Sequence, residues 1–308
     1  METPPLAESS TLTFSVIIPT RDRPRSLATC LDAMALQDYD KSCFEVIVVD
    51  DGSVAPLDDV ANAQRGGLEV RVLRQPNSGP ASARNNGAEI ARHSFLVFTD
   101  DDCLPDTTWL SAMARQLAYT PQAMLGGAVV NAAPENPYSA ASQALISYLY
   151  EYFNADGARF FCSNNLAVAK AYFLELGGFD THFPLAAGED REFCDRWHFE
   201  QRPMHYVPAA IVHHAHHLDL RRFCWQHLRY GRAAAYYHEI LAKRRLEPVA
   251  IEPARFYRDL LAYPFGRMST LKALACLFLL LLSQTMNAGR YFHESRFRPW
   301  ERAADPSQ

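Results

Sequence analysis

The first hundred residues alternate short apolar runs with segments of helical period, and most of the apolar runs stop at polar residues. "FSVIIPT" (14–20), "FEVIVVDDGS" (44–53), "LEVRVLRQ" (68–75) and "FLVFTDDD" (95–102) read as strands. "PRSLATCLDAMALQ" (24–37) reads as a helix with Leu27, Leu31, Met34 and Ala35 on one face, and "SGPASARNNGAEIARH" (78–93) as a helix with a glycine-rich entry. Strands separated by helices predict an α/β fold, a doubly wound, Rossmann-like and mostly parallel sheet with both faces covered. Sheets of that kind take ligands beyond the carboxyl ends of their strands. Polar clusters fall there: Pro19, Thr20 and Arg21 after the first strand, Asp50 and Asp51 after the second, and Asp100, Asp101 and Asp102 after the fourth.

Three consecutive carboxylates repel one another, so they belong either to a solvated turn or to a site for a cation. Asp100 and Asp102 form a D-x-D pair suited to sharing Mn²⁺ or Mg²⁺, hard ions that take carboxylate oxygens and keep positions for water and ligand phosphates. Asp50 and Asp51 suit the ligand, because an acid at a strand end accepts hydrogen bonds from a base or ribose; Asp51 before Gly52 also fits an Asx-type turn. "NSGPASARNNG" is neither a P-loop nor a GxGxxG motif. In it Gly79 permits close approach and Arg84 offers a fork of donors.

After residue 111 the pattern is less regular, with a helix near 108–119, a strand at "AMLGGAVVN", a helical "SAASQALISYLYEYF", a helix opened by "GEDREFCDRWHFE" and a strand at "MHYVPAAIVHHAHH". The expected organisation is a flexible segment 1–12, a catalytic domain 13–220 and a helical region 221–308. A formal charge of −5 gives no reason to expect nucleic-acid affinity. Seven cysteines at irregular spacing, without a CxxC pair, favour reduced thiols, and the N-terminus lacks a secretory pattern, so a cytoplasmic location is expected.

Six ordered motifs together resemble the inverting family 2 glycosyltransferases of GT-A fold: "SVIIPTRDRP", "EVIVVDDGS", "NSGPASARNNG", "FTDDDCLPD", "NNLAVAKAYFLELGGFD" and "GEDREFCDR". The resemblance covers roughly residues 14–230. It implies a nucleotide-diphosphate sugar donor, UDP- or GDP-linked, and a hydroxyl acceptor on a glycan, a lipid carrier or a small molecule. It places Asp50 near the base, Arg84 near the nucleotide, and Asp100 and Asp102 at the metal. Pro19, Thr20, Arg21, Arg23, Asp51, Gly79, Asp101 and Asn165 complete the expected donor site. Arg21 stands where relatives often carry asparagine.

Within "GEDREF", Asp190 matches the family's general base, with Glu189 orienting the site; a pair of acids at a helix N-terminus also interacts favourably with the dipole. In "VHHAHH", His214 and His216 fit the position where relatives carry a metal- or diphosphate-contacting histidine, while His213 and His217 read as bystanders. A nucleotidyltransferase would share the sheet and the acids but should carry a glycine-rich basic loop after the first strand, which "PTRDRP" lacks. A non-catalytic sugar-nucleotide-binding protein has no need of Asp100, Asp102 and Asp190 together.

The tail carries an apolar run, Ala273 to Leu282, between Arg267 and Lys272 on one side and Arg290, Arg296 and Arg298 on the other. Ten residues fall short of the roughly 20 that span a bilayer. The segment therefore reads either as an amphipathic helix at the inner face of the membrane or as a helix packed in the core or against a second subunit.

Overall fold

The structure is a computed structural model that describes residues 11–63, 65–183, 187–245 and 252–297. Most of the expected flexible segment 1–12, and Arg298, lie outside the described residues.

One eight-stranded sheet organises the chain in the order β3-β2-β1-β4-β7-β6-β8-β5. Its strands are β1 (Phe14–Thr20), β2 (Phe44–Asp51), β3 (Val70–Gln75), β4 (Phe95–Phe98), β5 (Cys103–Pro105), β6 (Met124–Asn131), β7 (Leu166–Ala169) and β8 (Met204–His214). β1 pairs in parallel with both β2 and β4, with Phe14 opposite Phe44 and Phe95. β7 runs antiparallel to β4 and β6, and β5 antiparallel to β8. β1, β2 and β4 are buried along their whole length, which is why their sequences are apolar without alternation.

The helices are α1 (Pro24–Ala35), α2 (Asp58–Asn62), α3 (Pro80–Ile90), α4 (Trp109–Tyr119), α5 (Pro137–Asn154), α6 (Lys170–Glu175), α7 (Glu189–Phe199), α8 (Leu220–Arg245), α9 (Ala254–Ala262) and α10 (Thr270–Phe297). One core cluster packs α1 and α4 on one sheet face through Leu27, Leu31, Trp109 and Met113. A second packs α3, α6 and α7 on the other through Ala83, Phe173, Phe193 and Trp197. The order of strand addition reverses at β1, with β2 on one side and β4 on the other, so the crevice of the switch point opens where Thr20 and Asp100–Asp102 emerge.

The tail shares a core with α5. Leu145 and Tyr148 of α5 meet Phe223, Phe256, Cys276 and Leu280 in one buried cluster. α10 also lies close on α8: a Cβ at Gly231 would come 2.2 Å from the Asn287 carbonyl oxygen, so only glycine fits that crossing. Glu294, 2% exposed, is held there by Arg290 at 2.5 Å. The apolar run is thus part of a helix of 28 residues, long and apolar enough by length and composition to cross a membrane, yet packed along one side against protein.

Candidate active site

Each polar cluster sits where a strand ends, and neighbours in sequence part company there. In the turn between β4 and β5 the three acids differ in their partners, although Asp101 and Asp102 share Arg23. Asp100 Oδ1 accepts from Arg84 Nη2 at 2.6 Å. Asp101 is buried, accepting from the Thr20 hydroxyl at 2.7 Å and from Arg23 at 3.0 Å. Burial pushes the Asp101 carboxyl up to about 6, against the opposing pull of Arg23. Asp102 faces His214 Nε2 at 3.2 Å through one oxygen and Arg23 at 3.0 Å through the other.

Asp100 and Asp102, expected to share one ion, point to different partners here. The groups that converge are Asp102, Cys103 and His214, whose donor atoms lie within 4.8 Å of one another. Burial pushes the Cys103 thiol far up, leaving it neutral, so the usable donors are one carboxylate and one imidazole. That oxygen and nitrogen pair suits Mn²⁺ or Mg²⁺, which fill their remaining positions from water and phosphate. Burial works against ionised Asp102 and His214 alike, but their mutual hydrogen bond prevails: it holds the acid well below the ordinary carboxylate range and the imidazole above its usual value. His216 stacks on the His214 ring at 4.6 Å and is not among the converging donors; burial and the His214 charge push it down to about 4. His213 bonds Asp106, away from the cluster.

Arg84 joins the two halves of the site. It is 3% exposed on α3, and while one arm holds Asp100, Nη1 donates to Glu189 Oε1 at 3.1 Å. Glu189 and Asp190 open α7 after Gly188, which takes the left-handed conformation that glycine favours. Burial, reinforced by the charge of Asp190, pushes Glu189 up to about 7. Burial raises Asp190 as well, partly offset by backbone N–H donors of Arg191 and Ser163. Two adjacent acids in one enclosed place titrate as a pair, and both are displaced toward neutrality.

At the nucleotide side, Asp50 is buried and accepts from the Ser53 N–H at 2.8 Å. Its Oδ2 has no hydrogen-bond partner among the described residues, and Arg74 Nε lies 3.7 Å away. Asp51 instead has its oxygens filled by Gln75 and the N–H groups of Ser78 and Gly79, so it pins the loop that starts α3. Gly79 adopts φ +86 there, a conformation costly for a side-chain-bearing residue. Asn165, expected among the donor contacts, has protein partners instead. It is fully buried, and its amide serves Trp109, Ala128 and Ala210 as a brace between α4, β6 and β8. Pro19 lies within β1 opposite Val49, and Arg21 is half exposed beside Asp22.

A cavity of about 1100 Å³ is lined by Arg84, Asp100, Glu189, Asp190, His214 and His216. Part of its wall comes from α5, α8 and α10, including Tyr237, Leu281 and Phe292. Sequence reasoning missed that wall, because no local motif marks residues that meet the site only through tertiary packing.

The model of the family described as "Glycosyl transferase family 2" matches residues 15–176, more than half of the chain. The chain belongs to the family 2 glycosyltransferases. Among similar members is a pre-mycofactocin glycosyltransferase of Mycobacterium tuberculosis, 30% identical over 231 residues, which are 72% of this chain and 46% of that one. A chondroitin synthase of Escherichia coli is 27% identical over 238 residues, 65% of this chain and 34% of that one. The chain thus spans less than half the length of either relative. Among solved structures, the mannosyltransferase PcManGT from Pyrobaculum calidifontis, in complex with GDP-Man and Mn²⁺, superposes with a TM-score of 0.59 at 18% identity, covering 96% of this chain and 79% of that one. TarS 1–349 of S. aureus superposes with a TM-score of 0.56 at 17% identity, covering 92% and 90%. These likenesses establish the GT-A fold for this family 2 member.

Proposed function

We propose that this family 2 member is a divalent-metal-dependent, inverting glycosyltransferase that moves a sugar from a nucleotide-diphosphate donor to a hydroxyl. The observation that carries the reading is the bridge made by Arg84. It ties the acid turn after β4 to the acid pair of α7 across the floor of one cavity.

Asp102 and His214 would hold the metal, which when bound offsets charge developing on the departing diphosphate. Asp50 Oδ2, buried and without a hydrogen-bond partner among the described residues, is suited to a donor hydrogen from base or ribose. UDP- and GDP-sugars are the candidate donors, since TarS has been solved with UDP-GlcNAc and PcManGT with GDP-Man. Asp190 takes the acceptor's hydroxyl proton, and a carboxylate raised toward neutrality is a better base than one of ordinary acidity. Glu189, gripped by Arg84, positions the start of α7.

NMR of the product formed from an α-linked donor tests the stereochemistry, with the β anomer expected. An α-linked product would exclude direct displacement assisted by Asp190.

A further inference from the structure

We infer that the acceptor is an amphiphile, with a hydroxyl-bearing head beside Asp190 and an apolar tail laid along the wall of α5, α8 and α10. The inference deepens the glycosyl-transfer reading and rests on it for the role of Asp190.

The cavity, at about 1100 Å³, is at the large end of small-molecule sites, and Asp100, Glu189, Asp190, His214 and His216 are among its lining residues. The wall of α5, α8 and α10 is apolar: Ile146 and Leu149 from α5, Leu241 from α8, Leu281 and Phe292 from α10. Leu281 is 47% exposed and Phe292 60%, so this apolar surface is left uncovered among the described residues. Several polar groups in the same wall are engaged within the protein. Gln143 donates to the Val129 carbonyl, the Tyr291 hydroxyl pairs with His238, and the Arg191 guanidinium stacks over Phe153 and Tyr237. A glycan seated there would bury hydroxyls against hydrocarbon, which is unfavourable without hydrogen-bond partners. A hydrocarbon chain carries no such penalty.

The apolar surface also continues out of the cavity. Phe278, Leu274 and Leu271, which are 67%, 51% and 80% exposed, precede Leu281 by three, seven and ten residues and share its helix face. The strip adds about 15 Å of path along α10. Two of the cations beside it are paired, Arg267 with Glu151 at 2.8 Å and Lys272 with Glu135 at 2.9 Å, which lowers the positive charge it offers to an anionic lipid surface. Continuity with the catalytic cavity favours a bound tail over a membrane surface or a second copy of the chain.

The test is calorimetry of the full chain with n-hexyl, n-octyl and n-decyl β-glucoside below the concentrations at which they form micelles, beside nucleotide release by wild type from a panel of nucleotide sugars. Affinity should rise several-fold with each added pair of methylenes, up to about tenfold. Leu281→Gln and Phe292→Gln replace exposed side chains, so their melting curves should match wild type while the dependence on chain length flattens. Affinity independent of chain length in a protein that releases nucleotide overturns the amphiphile and leaves glycosyl transfer standing. Chain-length-dependent binding with no nucleotide release from any donor upholds the apolar site and overturns the catalytic reading instead. If Leu271→Gln and Phe278→Gln abolish flotation with phosphatidylcholine–phosphatidylglycerol vesicles while Leu281→Gln and Phe292→Gln leave the glucoside series unchanged, the strip is a membrane contact and the inference fails.

Discussion

Replacing Arg84 with Gln removes the bridge between the acid turn and α7, and the consequence for stability should depend on pH. Arg84 and Glu189 are 3% and 4% exposed, so the substitution strands a buried carboxylate. Breaking a buried pair by removing one partner typically costs about 3–5 kcal/mol. Glu189 is pushed from an ordinary 4.5 up to about 7 by burial and by Asp190, with Arg84 opposing that rise. Because its folded value is raised, its contribution to stability is fully present below about 4.5 and is lost as pH climbs through about 7. Without Arg84 the folded value rises further, so the loss is greater above neutrality. Arg84→Gln should therefore destabilise by about 3–5 kcal/mol at pH 8 and by about half that at pH 6, where Glu189 already carries a proton. For a chain of 308 residues this is a fall in Tm of about 5–8 °C at pH 8. Urea denaturation followed by tryptophan fluorescence at both pH values measures it. Equal destabilisation at pH 6 and 8, or less than about 1 kcal/mol at either, would refute the view that Arg84 restrains a buried, raised Glu189.

Asp190→Asn should lower turnover by about 10²- to 10⁴-fold with nucleotide affinity preserved. The wild-type acid limb of kcat/KM should lie above the ordinary carboxylate range, and a limb near 4 would contradict the raised acid pair. Asp50→Ala should weaken nucleoside diphosphate binding in calorimetry even with chelator present, because a base or ribose contact is independent of the ion. Truncation after residue 250 should yield aggregated or unfolded protein rather than a catalytic domain. It strips Phe256, Cys276 and Leu280 from Leu145, Tyr148 and Phe223, a loss of order 10 kcal/mol that rivals the whole stability of a domain. A soluble, cooperatively melting truncation would show that α9 and α10 are an appendage.

The half of the sheet built from β1 to β4 was legible because buried strands and amphipathic helices write different periods into sequence. α1 and β2 fall close to where those periods place them. β5 was not legible: three residues directly after an acid turn carry no period, and they become a strand only by pairing with β8. The site was legible as a set of strand ends but not as a geometry. Sequence spacing makes Asp100 and Asp102 look like partners, whereas the turn sends one to Arg84 and the other to His214, 112 positions later. Asn165 beside Asn164 reads as a polar contact to ligand, yet it is a fully buried brace. The extent of α10 was hidden because the apolar run is only its first half, and the polar remainder is stabilised by contacts with α8 such as the close crossing at Gly231.

The central claim is that this cleft transfers sugar from a nucleotide donor with an ion held by Asp102 and His214. Nucleotide release from a panel of UDP- and GDP-sugars should be measured for wild type and Asp102→Asn, each with Mn²⁺ and after exhaustive chelation. Wild type should release nucleotide from at least one donor only with the metal, and Asp102→Asn should be inactive while melting as a folded protein. Undiminished wild-type release after chelation, or full activity of Asp102→Asn, would contradict the account.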